Sequence, residues 1–358
     1  MKKRFWQFSA ALIVLAMLCF CVSCAQQTQS IVDLLLEENS LPQLVAQGEI
    51  QIRIEDPGME YDLLEGGLPA DLFKDTTIKY QIDADNENML YKVELNADFT
   101  CYDDTKHCLL YVTKGHVYLN AQDFLNFCQF ACTSEEYAEA AAAIAKADCE
   151  WLDFPVENEY AFDDITEQDL QDILAEIEKM RSTIGKAYAD FKFTGLTTNG
   201  SSFKLELDNA GLANLINSFI DYTIDNFDKI APACIAYVNS SSLFDDYDRK
   251  VFAEDIENLT EIFAETSMDE RKELADTIEE TFTTDCPFDF LFKYDYAKTA
   301  ADTYALEEVI TLDFDEDYYG EVSTVYISLK NTTKAAKNLQ ITIPTDKIAT
   351  PEELSELF

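Results

Sequence analysis

From Ile50 to Leu119, apolar residues recur at every second position in runs, and from Thr76 on the runs are joined by short connections. Ile50, Ile52 and Ile54 alternate with polar residues, and further runs read as strands over Thr76–Asp83, Met89–Asp98, Cys108–Thr113 and His116–Leu119. A period of two turns one face of each strand to a core and the other to water. Asp85-Asn86 and Lys114-Gly115 sit in the connecting turns. Links this short join antiparallel neighbours, because a parallel pair needs a crossover of about a dozen residues or more. Pro57-Gly58 and Gly66-Gly67-Leu68-Pro69 punctuate the same stretch as loops.

The middle of the chain changes period. Residues 122–147, with the Ala140–Ala143 run, favour helix. Trp151–Pro155 reads as a short strand. Thr166 and Asp169 open a long amphipathic helix whose stripe is Leu170, Ile173, Leu174, Ile177, Ile184, Tyr188 and Phe191. Phe191–Thr197, Asn199-Gly200 and Ser202–Leu207 predict a strand, a type I′ turn and a strand. Helices are expected over 210–230, 249–264 and 269–282. Strands return at Phe288–Tyr296, Glu307–Phe314, Val322–Leu329 and Leu339–Ile343, and Pro351 starts a short terminal helix. Strands early and late, with helices between, predict the α+β class. The expected architecture is a large curved antiparallel β-sheet, half-barrel-like, with helices packed on its concave face. No Gly/Ser-rich linker interrupts residues 31–358, so they are expected to form a single extracytoplasmic domain.

The start of the chain supplies an address. Lys2, Lys3 and Arg4 precede an apolar run from Phe8 to Val22, 15 residues long, short of the roughly 20 that a membrane-spanning helix needs. That layout is a secretory signal. It ends in Cys21-Val22-Ser23-Cys24, which resembles the lipobox of bacterial lipoproteins, with Cys21 where leucine is usual. The resemblance implies cleavage after Ser23, lipidation of Cys24, and residues 24–30 as the lipidated cysteine and a short tether. Two acyl chains on one cysteine suffice for stable anchoring. The rival readings are an ordinary signal cut after Ser23-Cys24-Ala25, which would free the protein, and an uncleaved anchor.

The chain carries −43, and −46 once the three basic signal residues are gone. Such a surface repels nucleic acid, whose phosphates require Lys and Arg, and anionic lipid headgroups. Its plain role is a solvated outer face; its sharper one is attraction of cations or a basic partner. Seven cysteines follow Cys24, an odd number that leaves at least one unpaired within the chain. Cys101 and Cys108 flank a polar turn and form the candidate disulfide.

Catalytic and metal motifs are scarce. There are two histidines, His107 and His116, so HExxH is impossible. His107 and Cys108, adjacent on a strand, would point to opposite faces, which argues against a zinc site with Cys101. Cys128 and Cys132, four apart on a helix, read as small core residues. Ser201-Ser202-Phe203-Lys204 matches Ser-x-x-Lys but follows a hairpin turn instead of opening a helix. Asp313-Phe314-Asp315-Glu316-Asp317 starts like a calcium loop, with Tyr318 where glycine is required and Thr324 where glutamate is. Asp83-Ala84-Asp85-Asn86-Glu87 reads as a hairpin turn. No catalytic residue, cofactor or metal site is expected.

Three segments carry a further likeness: Gly115-His116-Val117-Tyr118-Leu119-Asn120, Cys149-Glu150-Trp151-Leu152-Asp153-Phe154, and the hairpin from Asn199 to Leu207. Their order over residues 76–330 resembles that of the LolA/LppX-type half-barrel lipoproteins. The resemblance implies a curved sheet cupping helices around an apolar cavity able to hold acyl chains, hence a carrier of lipid or of lipoproteins. No ligand-contact residue transfers from it. The expectation is a non-enzymatic, membrane-anchored extracytoplasmic lipoprotein that binds an apolar ligand, a lipid or another apolar small molecule. The alternative is an envelope protein-interaction or structural lipoprotein without a ligand cavity. An envelope enzyme working with carboxylates alone is a third reading, and a transporter's two-lobed solute-binding protein does not match the order of elements.

Overall fold

The computed structural model describes residues 34, 37–38, 40–55, 74–99, 105–131, 134–155, 175–176, 178–192, 195–284, 286, 288–314 and 323–355. The expected signal segment, Cys24, Cys101, Cys132, the start of the helix expected from Thr166 and the acidic run after Phe314 lie outside these residues. So does the side chain of Cys128. The described residues group into two compact units. One comprises those between Asp163 and Gly200 and between Glu206 and Cys286; the other, those within Leu35–Phe162, Ser201–Leu205 and Pro287–Phe358. Among the described residues, no helix is long and apolar enough to cross a membrane.

The strands are β1 (Gln43–Glu55), β2 (Thr76–Asp85), β3 (Leu90–Phe99), β4 (Lys106–Thr113), β5 (His116–Asn120), β6 (Trp151–Pro155), β7 (Leu196–Thr198), β8 (Ser202–Asp208), β9 (Phe288–Ala300), β10 (Thr303–Phe314), β11 (Ser323–Ala335) and β12 (Ile348–Ala349). They form one open sheet in the order β12-β6-β5-β4-β3-β2-β1-β11-β10-β9-β8-β7. Neighbours from β6 to β9 pair antiparallel. The exception is β12, which runs parallel to β6. The expected α+β class, with a large open antiparallel sheet of half-barrel type, is the architecture found. β1 sits at the middle of the order, where it joins the two hairpin sets by pairing with both β2 and β11.

Gly48 lies at the centre of β1 because nothing larger fits there. A Cβ at Gly48 would collide with the Lys330 carbonyl and lie 2.5 Å from Tyr80 Oη and 2.6 Å from Tyr80 Cζ. The β2–β3 turn is closed by Asp85. Its carboxylate accepts from the backbone (3.1 Å) and side chain (2.9 Å) of Asn88 and from Gln43 Nε2 (3.0 Å). The Asn88 and Gln43 side-chain bonds hold the Asp85 carboxyl below its ordinary range. The turn lies later than expected, at residues 86–89, and Asp83, Ala84 and Asp85 end β2, paired with Lys92, Tyr91 and Leu90 of β3.

Two helices of the sheet-bearing unit, α1 (Ala121–Ala131) and α2 (Ser134–Ala147), follow β5. α1 starts where β5 ends, and Asp123 of its first turn accepts from the Leu109 N–H of β4 at 2.8 Å. A small core forms from Leu125, Ala143, Ile144, Leu152 and Ala349 with Leu354 of the terminal helix, Pro351–Ser355. Phe124 and Phe154 pack against it, 6.3 Å apart. Thr350 and Glu353 cap that helix reciprocally.

The helical unit contains α3 (Asn209–Asp225), α4 (Phe227–Ser240), α5 (Asp246–Glu265) and α6 (Met268–Thr283), and the terminal helix is α7. Asp208 caps α3 through Gly211 N at 2.6 Å. Capping boxes start α5 (Asp245 with Asp248) and α6 (Ser267 with Glu270). Tyr188, fully buried, stacks on Phe219 at 5.3 Å and meets the Thr223 hydroxyl at 3.1 Å. Phe191 completes the cluster edge-on to Phe219 and Tyr222.

The structure departs from expectation elsewhere too. A helix, α4, runs through 227–240 despite Pro232. Phe191 serves the aromatic cluster and does not begin a strand, so β7 starts at Leu196. The Asn199-Gly200 turn is not type I′, which requires positive φ at both central residues; only Gly200 is left-handed, at φ 57°. Leu339–Ile343 is not a strand. Its backbone is held by a side chain instead, with Leu339 N donating to Gln43 Oε1 at 3.0 Å.

Candidate functional site

Cross-strand register sorts the side chains of the central strands onto two contrasting faces, since paired residues share a face and successive residues alternate. One face is apolar across β1, β11, β10 and β9. Its rows run Ile50–Leu329–Glu308–Tyr294, Ile52–Ile327–Ile310–Phe292 and Ile54–Val325–Leu312–Phe290. β2 and β3 extend it with Ile78, Tyr80, Ile82, Val93 and Leu95. Phe290 and Phe292 stack along β9 at 6.5 Å, and Phe292 and Tyr294 continue the ladder at 6.2 Å. Phe203 of β8 joins at 5.3 Å from Tyr294 and 5.4 Å from Tyr296.

This face is sealed at one end and not at the other. Tyr296 and Tyr304 are buried to 2% and 1% exposure, but Ile327, on a central strand, is 37% exposed. The side chains that flank it in its row, Ile52, Ile310 and Phe292, are half-buried. Tyr296 donates to Glu38, and burial with that carboxylate pushes its phenol far up. Glu308 is the sole acid on this face of β1–β3 and β9–β11 among the described residues, and it lies in the row of Tyr294. Burial first, then Glu308 and Glu38, raise the Tyr294 pKa.

The opposite face is polar. One row reads Asn96–Lys79–Glu49–Lys330–Glu307–Asp295 across six strands. Lys330 pairs with Glu307 at 3.2 Å, and Lys204 of β8 with Asp295. Exposed pairs of this kind contribute about 1 kcal/mol or less. Beside the row, small residues at Ala297, Ala305 and Thr332 leave an open depression of about 760 Å³, rimmed by Gln47, Gln81 and the charged row. The depression is therefore polar, and it lies on the face turned away from the aromatic ladder.

The two histidines take part in separate pairs with carboxylates. His116 Nδ1 meets Asp153 at 2.9 Å and stacks on Tyr118, ring centroids 5.7 Å apart. His107 Nδ1 meets Asp123 at 3.1 Å. Each carboxylate fixes a ring, and Asp123 accepts the Leu109 N–H through the same oxygen that meets His107. Cys108 is buried while its neighbour His107 is exposed, so the two side chains do point apart. Burial pushes the Cys108 thiol up to about 11, with Asp123 adding to it, and burial alone does the same for Cys234. Both are free thiols. Lys204, the last residue of the Ser-x-x-Lys match, sits on a strand in its ion pair with Asp295. Among the described residues no group of three His, Cys, Asp or Glu side chains could hold a metal.

In the helical unit, Glu176 is a buried carboxylate that the sequence did not single out. Its Oε1 accepts from Lys179 Nζ (2.7 Å) and from the backbone (3.2 Å) and hydroxyl (3.1 Å) of Ser242. Lys179 also donates to the Ser240 carbonyl at 3.0 Å. The bond from Lys179, helped by Ser241 and Ser242, lowers the Glu176 pKa to about 2. This is a staple between a helix and the loop after α4, next to the π-helical turn Arg181–Gly185.

No protein-family model matches the chain, nor does any curated protein or any solved structure.

Proposed function

We propose that the chain is a non-enzymatic, extracytoplasmic bacterial lipoprotein, anchored to a membrane through a lipid on Cys24, and that it binds an apolar ligand such as a lipid. The anchor rests on the basic start, the short apolar run and the Val22-Ser23-Cys24 motif. The binding reading is carried by one observation: the aromatic and aliphatic face of the central strands is left partly open at Ile327. A central strand of an ordinary sheet is covered on its apolar face, and each such side chain gains about 1 kcal/mol or more when water is excluded from it. An acyl chain laid along β11 and β10 would supply that cover. Glu308, alone among apolar rows, is placed to receive a hydroxyl or amine of the ligand's polar end.

The test is uptake of a dansyl-labelled fatty acid by the purified chain, read as energy transfer from tyrosine and tryptophan. The double variant Ile310→Glu, Ile327→Glu should lose most of the uptake while keeping its circular dichroism. Equal uptake by the variant, or none by the parent, removes the binding reading. A second reading, a protein-interaction lipoprotein without a ligand cavity, is favoured by the depression on the other face, which is lined by charges and amides and suits no acyl chain.

A further inference from the structure

Helix α5 buries one apolar stripe and leaves further large apolar side chains exposed on its outer side. Ile256 and Phe263 are buried, the latter ring 4.7 Å from Phe227 and edge-on to it. Phe252 and Leu259 lie half-buried in the same stripe. Tyr247 and Val251, one turn apart on another side of the helix, are 74% and 38% exposed. Leu243, one turn earlier and just before the helix, is 67% exposed because its neighbour Phe244 takes the inward place against Tyr237. Ile262 lies on the same side about three turns after Val251, with exposed Asp255 and Asn258 between them. Of the seven large hydrophobic side chains exposed among the described residues, three, Leu243, Tyr247 and Val251, fall in one short stretch of chain. That concentration separates this patch from the isolated exposed residues that any surface carries.

The rim of the patch is net acidic. Asp245, Asp246, Asp248, Glu254 and Asp255 surround Tyr247 and Val251 in sequence, against Arg249 and Lys250. Both cations are already committed: Arg249 to Asp246 at 3.2 Å and to the carbonyls of Val238 and Ser241, Lys250 to Glu254 at 3.7 Å. Asp245 and Asp248 are held in place by the capping box. An apolar stripe with fixed acids on its flanks is complementary to a segment that carries apolar side chains flanked by Lys or Arg. It is repelled by an anionic membrane surface and by a second copy of its own acidic face.

We propose that the outer face of α5, at Leu243, Tyr247 and Val251, docks a basic amphipathic segment of a partner protein. The surface is distinct from the sheet face and does not depend on ligand binding there. Tyr247 is the central anchor, since a tyrosine brings a large contact area with little side-chain entropy to lose. The acids set orientation and association rate more than residence time.

The test uses the full chain and three synthetic peptides: a leucine/lysine amphipathic helix, its leucine/glutamate counterpart, and a serine/lysine peptide of equal charge. Fluorescence anisotropy measures binding, and hydrogen exchange maps the protected residues. The expected result is binding of the leucine/lysine peptide alone, with protection over 243–262. The triple variant Leu243→Ser, Tyr247→Ser, Val251→Ser should weaken it at least about tenfold, and added salt should weaken it further. Because the three side chains are exposed, the variant should melt with the parent. Equal binding of the serine/lysine peptide, or equal binding by the triple variant, would mean unspecific attraction to an acidic protein and overturn the proposal. Binding of phosphatidylcholine vesicles that the triple variant abolishes would reassign the patch to a membrane surface and overturn it as well.

Discussion

Replacing Gly48 by alanine puts one methyl group where the sheet has no room. The added Cβ meets the Lys330 carbonyl from β11 and the Tyr80 ring from β2, with Tyr80 Oη at 2.5 Å and Cζ at 2.6 Å. Alanine itself favours folding by about 0.5–1 kcal/mol, through the lower entropy of its unfolded chain. Overpacking costs about 1–3 kcal/mol, and the upper end applies here because one neighbour is backbone and cannot rotate away. Gly48→Ala should therefore lose about 2 kcal/mol, the difference of those two magnitudes. Urea unfolding followed by fluorescence of Trp151, which packs edge-on to Tyr111 in the same sheet, reads this directly. Adding Tyr80→Ala should recover part of the loss in a double-mutant cycle, because it removes the ring but leaves the carbonyl. A Gly48→Ala chain as stable as the parent would refute the reasoning. Complete rescue by Tyr80→Ala would show that the β1–β11 contact is not limiting.

Glu176 predicts a pH signature. Its folded pKa, about 2, lies below the ordinary 4.5, so its stabilisation is present above pH 4.5 and is lost as pH falls toward 2. Glu176→Gln should accordingly be less stable than the parent at neutral pH, with the gap closing across that window; a gap constant from pH 7 to 2 contradicts the assignment. With their thiols pushed to about 11, Cys108 and Cys234 should be almost unreactive to maleimide at pH 8 in the native chain and react on unfolding. Leu152→Ala should cost about 3 kcal/mol, because Leu152, 1% exposed, joins Leu125, Ala349 and Leu354 in one core. A loss under about 1 kcal/mol in chemical denaturation would mean that this core collapses around the gap.

The sheet was legible because alternation and short links are local signals. The strands expected from Thr76 to Leu119 and at Trp151–Pro155 lie within those observed, apart from Met89 at a turn, and Pro351 does start a helix. The exceptions have non-local causes. Pro232 argues against a helix by local rules, but Ile230, Ala231, Cys234, Tyr237 and Val238 of α4 are buried, and their packing outweighs one missing hydrogen bond. Leu339–Ile343 has strand composition, but Pro344 follows it and Gln43 takes its backbone bonds. No single linker separates the two units, because the chain passes between them more than twice, at Gly200–Ser201 and within β8 at Leu205–Glu206 among other places.

Site residues were harder to read. Ile327 looks like any core isoleucine in sequence, and only its exposure on a central strand makes it a candidate. Glu308 is one acid among many until register places it on the apolar face. The polar depression arises from small residues at Ala297 and Ala305 facing long ones, a relation that exists only between strands. Asp123 and Asp153 carried no signal either, since each reaches its histidine across the fold.

Native mass spectrometry of the mature chain purified from a bacterial host, before and after organic-solvent extraction, tests the central claim most directly. The account predicts a lipid-sized mass beyond the covalent acyl groups, lost on extraction and diminished in the Ile310→Glu, Ile327→Glu variant. A mass with no bound lipid and no uptake of added lipid would contradict it.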